Sequence, residues 1–461
     1  MTRRATAPIA SLAEAASYLE GLINLEKERV PGPARLSLAP IEALLARLDR
    51  PDAGLSIFHV AGSKGKGSTA LFAEAILLAA GCRVGTFTSP HLESWIERFR
   101  IDGVPVAEAS LAAAVERVRP EVDALREAGG DSVPSFFDAT TAVALLLFQE
   151  ADVDHAILEV GLGGRLDSTN AVTPAVTAVT QIELEHTDRL GTTLAAIAGE
   201  KAGIWKPGVP ALMGPLVPEA AAVTEERARA VGAPLFRVGE HIALAFETSA
   251  TGATLTTGEG AFEVTLALPI AGDHQPANAA LAVAAARRLL ADSHAPEAIA
   301  AAAREGLAGV GLPGRIETLA ADPWIVVDSA HTEASARALA RVLAERGDAV
   351  DFVVSLSAGK DRDAILEAWL PLARSITFTR AEPIRALDPN ELVAAVQARR
   401  STLPVLAIDD AEEALRRTRA ALPSGTTLCA SGSVYLAGIA RRLWSDPPSP
   451  TPEAEALADP A

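Results

Sequence analysis

The feature that most constrains the fold is a strand that runs into a glycine-rich loop and then a helix. Ile57-Phe58-His59-Val60 is an apolar run of strand length. Gly62-Ser63-Lys64-Gly65-Lys66-Gly67-Ser68-Thr69 follows it, and residues 68–80 have helical composition. Glycines let backbone N–H groups turn inward toward phosphate oxygens, and the helix start adds partial positive charge. Lys66 can then bridge terminal phosphates as a point charge. The spacing is not the common G-x-x-x-x-G-K-[ST], because Val60 stands where that pattern has its first glycine. The competing reading is a plain glycine-rich turn with an exposed lysine pair.

Around this loop, apolar runs alternate with Ala/Leu-rich stretches. Strands are expected at 56–61, 83–88, 155–160 and 176–182, with helices at 68–80, 140–150 and 193–202. Such alternation implies βα units on a parallel sheet covered by helices. Residues 237–268 are Thr- and Gly-rich with period-two alternation, which predicts a small antiparallel meander, and 277–290 predict a helix. Glycines and Pro313 in 306–314 suggest a hinge. Beyond it, strands are expected at 324–328, 349–356, 375–379, 403–408 and 427–431. Helices are expected at 333–344, 362–372, 389–398 and 411–421. The division is therefore an N-terminal α/β domain over 1–310 and a smaller open α/β domain over 311–445. A Pro-, Ala- and acid-rich tail over 446–461 is expected to be disordered. No internal repeat is visible.

Composition removes several classes. The net charge of −18 over 461 residues leaves no basic nucleic-acid footprint. An anionic substrate must then be held by local lysines, arginines, metal or helix ends. Two cysteines, Cys82 and Cys429, far apart, form no disulfide framework. No run reaches the about 18 uninterrupted apolar residues of a membrane span, and the N-terminus is too polar for a signal peptide. The chain reads as cytoplasmic, with no nucleic-acid or membrane partner. Without a coiled coil or apolar arm, a monomer is expected.

His59-Val60-Ala61 with residues 62–69 resembles the ATP loop of the dihydrofolate synthase and folylpolyglutamate synthase family, within the Mur ligase superfamily. Thr88-Ser89-Pro90-His91-Leu92 resembles its second loop. Glu159-Val160-Gly161-Leu162-Gly163-Gly164-Arg165-Leu166-Asp167-Ser168-Thr169-Asn170 is nearly a full match to its most specific string. Glu185-His186-Thr187-Asp188, Glu200-Lys201-Ala202-Gly203-Ile204, His274-Gln275 with Asn278, Pro313-Gly314-Arg315 and Asp328-Ser329-Ala330-His331 follow in family order.

The resemblance implies a Mur-ligase-like N-terminal P-loop ATPase domain and a C-terminal α/β domain. It implies an ATP-dependent ligase joining L-glutamate to dihydropteroate or a reduced folate through an acyl phosphate. Lys66, Lys201 and His186 would be catalytic, with Lys201 carbamylated. Gly62, Ser63, Lys64, Gly65, Lys66, Gly67, Ser68, Thr69, Asn278, Arg315, Asp328 and His331 would bind ATP, with the nucleotide lying between domains. Ser89, Glu159 and His186 would hold Mg²⁺, which prefers oxygen ligands, with two ions expected. Ser135, Leu166, Asp167 and Ser168 would contact the pterin acid. Another Mur-type acid substrate, or a non-catalytic nucleotide-binding descendant, are the alternatives. The family's Gly-Leu-Asp-His stands here as Glu183-Leu184-Glu185-His186, its Phe-Glu as Phe137-Asp138, and its Asp-Gly-Ala-His-Asn-Pro as Asp328-Ser329-Ala330-His331-Thr332-Glu333. These departures cluster near the presumed metal and acceptor.

Overall fold

The structure, a computed structural model, describes residues 8–24, 37–382, 385–423 and 425–444. The chain forms two compact units, Met1–Gly311 and Leu312–Ala461. The expected tail lies outside the described residues.

The first unit is built on an eight-stranded sheet. Its strands are β1 (Ser56–Ala61), β2 (Val84–Phe87), β3 (Phe99–Ile101), β4 (Val104–Pro105), β5 (His155–Glu159), β6 (Val176–Val179), β7 (Ala211–Met213) and β8 (Leu235–Arg237). They lie in the order β4-β3-β2-β5-β1-β6-β7-β8. The six strands from β2 to β8 in this order are parallel, and β3 and β4 add an antiparallel edge. From β1 the chain moves to one side, to β2 and back to β5, and then crosses to β6 on the other side. The strand order reverses around β1, and ligands of open α/β sheets bind outside the carboxyl ends at such a point.

Helices cover both faces because the central strands are apolar on both sides; β5 is buried throughout. On one face Ile57, Phe87 and Leu158 join Val143, Leu146 and Val115 from the helices Phe136–Glu150 and Glu108–Ala128. The helices Lys66–Ala79, Gln275–Leu289 and Pro296–Ala308 pack together elsewhere in the unit. A three-stranded antiparallel sheet follows β8: β9 (Ala243–Ser249), β10 (Gly252–Glu259) and β11 (Phe262–Leu268). In β11 burial alternates residue by residue, as the expected meander requires.

In the second unit, β12 (Glu317–Ala321), β13 (Trp324–Val327), β14 (Val350–Val354), β15 (Ala373–Arg380), β16 (Val405–Asp410) and β17 (Thr427–Ser431) form one sheet. Their order is β12-β13-β17-β14-β15-β16, parallel apart from β12. The expected strand–helix alternation is present, and β12 is an added edge strand.

Several boundaries differ from expectation for identifiable reasons. The helix expected from 140 begins at Phe136, because Ser135 and Asp138 form a capping box. The strand expected to reach 182 ends at Val179, because Thr180 turns to donate to the Ala61 and Lys64 carbonyls. Residues 306–308, expected in a hinge, belong to the helix Pro296–Ala308. There a Cβ on Gly306 would collide with the carbonyl of Ala75, in the helix that starts at the phosphate loop. Gly306 is small so that two helices can touch. Gly306→Val should therefore destabilise the protein by about 1–3 kcal/mol through overpacking, read as a lower urea midpoint at unchanged slope.

Candidate active site

In the first unit, the phosphate loop, Ser89, Glu159 and the segment after Val179 stand at the carboxyl ends of β1, β2, β5 and β6. The phosphate loop leaves β1 and enters its helix at Lys66, with Gly65 as N-cap in the left-handed region at φ 84°. A side chain there would be strained, and its Cβ would collide with the Asn278 amide. Asn278 is buried, its Nδ2 donating to Gln275 Oε1 at 3.0 Å. The loop and Asn278, distant in sequence, are thus in contact.

The loop is braced from β6. Ser63 N donates to the Gln181 carbonyl, Ser63 Oγ donates to the Glu183 carbonyl, and Glu183 N donates back to Ser63 Oγ. Ser63 therefore has a holding role for its hydroxyl. Ser68 and Thr69 are buried in the first helical turn. Gly62 and Gly67 are buried too, whereas Lys64, Gly65 and Lys66 are half-buried.

Two lysines meet on one backbone oxygen. Lys66 Nζ donates to the Gly62 carbonyl at 3.0 Å, and Lys201 Nζ donates to the same carbonyl at 2.9 Å. Lys201 ends the helix Leu194–Lys201 and is fully buried. It also pairs with Glu185 Oε1 at 2.8 Å. Burial lowers the Lys201 pKa to about 8; Glu185 opposes this and Lys66 reinforces it. Burial would raise the Glu185 pKa, but Lys201, Lys66 and Lys64 together hold it down at about 2. Burial raises that of Glu183, opposed by Lys64. The departure Glu185 is therefore the carboxylate that reaches Lys201.

At the end of β5, Glu159 is buried and its Oε2 accepts from Ser89 N at 3.1 Å. The Ser89 backbone thus stands against the Glu159 carboxylate, and a serine hydroxyl and a carboxylate are both oxygen donors of the type Mg²⁺ takes. His186 lies on an exposed loop in the left-handed region at φ 46°, a conformation uncommon for histidine. No group of three His, Cys, Asp or Glu side chains among the described residues is arranged to hold a metal ion. The oxygen donors of Ser89 and Glu159 suit magnesium in chemistry.

The residues expected at the acceptor form two linked networks. Ser135 Oγ donates to Asp138 Oδ2 at 2.6 Å, and Ser168 Oγ donates to Asp138 Oδ1 at 2.7 Å. Ser135 and Ser168 thus share one buried carboxylate. Burial raises the Asp138 pKa, opposed by these hydroxyls. Asp167 accepts from Leu162 N at 2.8 Å, and from Thr169 N at 3.1 Å and Oγ1 at 2.5 Å. Burial pushes Asp167 up to about 6, against those hydrogen bonds. Leu166 is half-buried. The loop 161–170 rests on the end of the Lys201 helix, where a Cβ on Gly164 would lie 2.9 Å from the Glu200 and Lys201 carbonyls.

In the second unit, Asp328 Oδ2 accepts from Ile316 N at 2.8 Å and Oδ1 from Ala330 N at 2.7 Å. One carboxylate ties the Arg315 segment to the His331 loop. Arg315 Nη1 donates to the Pro313 carbonyl at 3.1 Å, and His331 Nδ1 donates to the Ser329 carbonyl at 2.8 Å. The three second-unit residues therefore belong to one local cluster.

Sequence reasoning did not single out Thr180, Asp138, His59 or Thr169 as site residues. Thr180 and Asp138 are short polar residues at element ends, where a turn is the ordinary explanation, and His59 sat inside an apolar strand.

Residues 60–286 match the Mur ligase middle domain, and 314–434 match the Mur ligase, glutamate ligase domain. The chain is 34% identical to the dihydrofolate synthase/folylpolyglutamate synthase of Mycobacterium tuberculosis, over 89% of this chain and 91% of that protein. It is 35% identical to a probable bifunctional folylpolyglutamate synthase/dihydropteroate synthase of Halobacterium salinarum, covering 94% of this chain but spanning about half, 51%, of that relative's length. The M. tuberculosis folylpolyglutamate synthase structure complexed with ADP and AMPPCP superposes with a TM-score of 0.83 at 33% identity, covering 96% of this chain and all of that one. Escherichia coli FolC in complex with DHPP and ADP superposes at 0.82 and 30% identity, covering 95% and 99%. No described helix is long and apolar enough to cross a membrane. With its fold, its loop strings and full-length relatives in agreement, the chain belongs to the dihydrofolate synthase/folylpolyglutamate synthase family of Mur-type ligases.

Proposed function

We propose that the chain joins the amine of L-glutamate to the carboxylate of a pterin acid, dihydropteroate or a reduced folate, while ATP is cleaved to ADP and phosphate. The observation that carries this reading is the meeting of Lys66 and Lys201 on the Gly62 carbonyl. Lys66 is thereby held at the phosphate loop, where a polyphosphate would replace its carbonyl contact with a charge-assisted hydrogen bond, while Lys201 stands beside it on the same oxygen. The relatives' names supply the acceptor and the amino acid.

In the first step an oxygen of the acceptor carboxylate attacks the γ-phosphorus. The bond from that phosphorus to the β–γ bridging oxygen breaks, and ADP leaves. The glutamate nitrogen then attacks the carbonyl carbon of the acyl phosphate. The carbon–oxygen bond to phosphate breaks, the nitrogen loses its proton, and an amide remains. Phosphoryl transfer rests on positioning and neutralisation of charge. Lys66 and the loop N–H groups are proposed to hold the terminal phosphates, and Asn278 the base. Arg315, Asp328 and His331 are proposed to complete the nucleotide contacts. Ser89, Glu159 and His186 would hold Mg²⁺, which when bound neutralises charge on the phosphates. The loop 161–170, with Ser135, is proposed to receive the acceptor.

Lys201 is proposed to take up CO₂ as a carbamate. The lowered amine pKa supports this, since only the neutral amine reacts. The Glu185 ion pair must open first.

Glutamate-dependent ADP release should appear with dihydropteroate, tetrahydrofolate or both, with the amide product identified by mass. Turnover with neither would overturn the acceptor assignment, and turnover with a UDP-linked peptide would replace it. Lys66→Ala should lower kcat by about 10²-fold or more, while circular dichroism shows an intact fold. Carbamate formed from ¹³C-bicarbonate at Lys201, read by NMR, should increase as pH rises through about 8 and vanish in Lys201→Ala.

A further inference from the structure

A buried polar chain runs from the strand that carries the phosphate loop into the loop proposed to receive the acceptor. His59, in the middle of β1 and fully buried, lies between Leu158 of β5 and Thr177 of β6. Its Nε2 lies 2.8 Å from Thr169 Oγ1, and Thr169 Oγ1 lies 2.5 Å from Asp167 Oδ1. The direction of each bond follows from counting protons. An ionised carboxylate only accepts, so the single hydroxyl proton of Thr169 goes to Asp167. The Thr169 oxygen must then accept from His59, which fixes the imidazole as the Nε2–H tautomer. The chain reads His59 Nε2–H to Thr169 O–H to Asp167.

The far end of this chain is fully used. Asp167 also accepts from Thr169 N and, through Oδ2, from Leu162 N. Asn170 N donates to the Asp167 carbonyl, and Asn170 Nδ2 donates to the Arg165 carbonyl at 2.9 Å. Asp167 faces inward and knots the loop, so that Leu166 and Ser168 flank it. At the near end, His59 Nδ1 is buried with no protein partner among the described residues. Leaving a buried polar atom unpartnered is costly. A leucine would fill this strand position without that cost, so packing does not explain a histidine here.

We propose that His59 is a positioning residue for the acceptor: through Thr169 and Asp167 it locks the loop 161–170 in the shape that presents Leu166 and Ser168. The inference rests on the acceptor reading above and adds a residue to it. Its physical content is that the β1 strand, which aims the phosphate loop, also sets the acceptor loop. Losing the chain loosens acceptor binding and leaves the nucleotide contacts in place.

Thr169→Val keeps the side-chain shape and removes the hydroxyl, and Thr169→Ser restores the hydroxyl. Thr169→Val should raise the acceptor KM about tenfold or more, with the ATP KM within about twofold of wild type, and Thr169→Ser should recover most of the loss. His59→Leu should act in the same direction, and adding it to Thr169→Val should bring little further loss, as expected for one chain. A wild-type acceptor KM in Thr169→Val, or equal rises in both KM values, would overturn the proposal. Backbone hydrogen exchange supplies a readout independent of substrate. Residues 161–170 should lose protection in Thr169→Val and keep it in Thr169→Ser, while residues 62–69 stay unchanged. If the wild type turns over neither pterin acid, the acceptor reading fails, and the exchange data alone decide the chain: unchanged protection in Thr169→Val overturns it.

Discussion

The carboxyl edge of the large sheet depends on one backbone oxygen. The Gly62 carbonyl accepts from Lys66, which follows it by one turn of loop, and from Lys201, which arrives from a helix remote in sequence. That shared acceptor fixes where the Lys201 helix ends relative to the phosphate loop. Braces from Thr180, Ser63 and Glu183 hold the same loop against the segment after β6. The positive charge is therefore built into the scaffold before any phosphate arrives, and rigid placement of such charge is what electrostatic catalysis requires. The protein as a whole carries −18, so this local reversal of sign has to be made by gathering lysines at one loop.

The loop 161–170 is the second hub. It touches the Lys201 helix through Gly164, the helix Phe136–Glu150 through Ser168 and Asp138, and β1 through Thr169 and His59. Each contact uses a different residue of the segment. A change in any one neighbour is felt by the same short stretch of backbone, which lies directly after the strand that ends in Glu159.

Much of this was legible in the amino-acid sequence where local chemistry and tertiary role coincide. The β1 strand, its glycine loop and the following helix could be read because glycine, lysine and an apolar run each have a local meaning there. The antiparallel meander and the alternation in the second unit were readable for the same reason. The helices Leu12–Glu20, Ala39–Arg47 and Glu108–Ala128 were not anticipated. In the last, Pro120 stands inside the helix, against its local preference. The site was harder where side chains answer to distant partners. Ser135 and Ser168 were expected against substrate, but that they meet on one carboxylate, Asp138, depends on a partner 30 residues from Ser168. Glu185 stood out only as a departure from a pattern, and its pairing with Lys201 depends on how two loops meet. His59 was legible only as the first residue of the phosphate-loop string, and a histidine in an apolar run carries no local sign of a partner such as Thr169.

The sharing of Asp138 has a consequence for how such a protein can change over generations. Ser135 and Ser168 each give their hydroxyl proton to one oxygen of that carboxylate. An amide at 138 would present a donor to one of the two serines, and an apolar residue would strand both. Positions 135, 138 and 168 therefore form a linked trio in which drift at one is constrained by the other two. Any lineage that exchanges its acceptor through these serines must first pass through a carboxylate that neither of them can abandon alone.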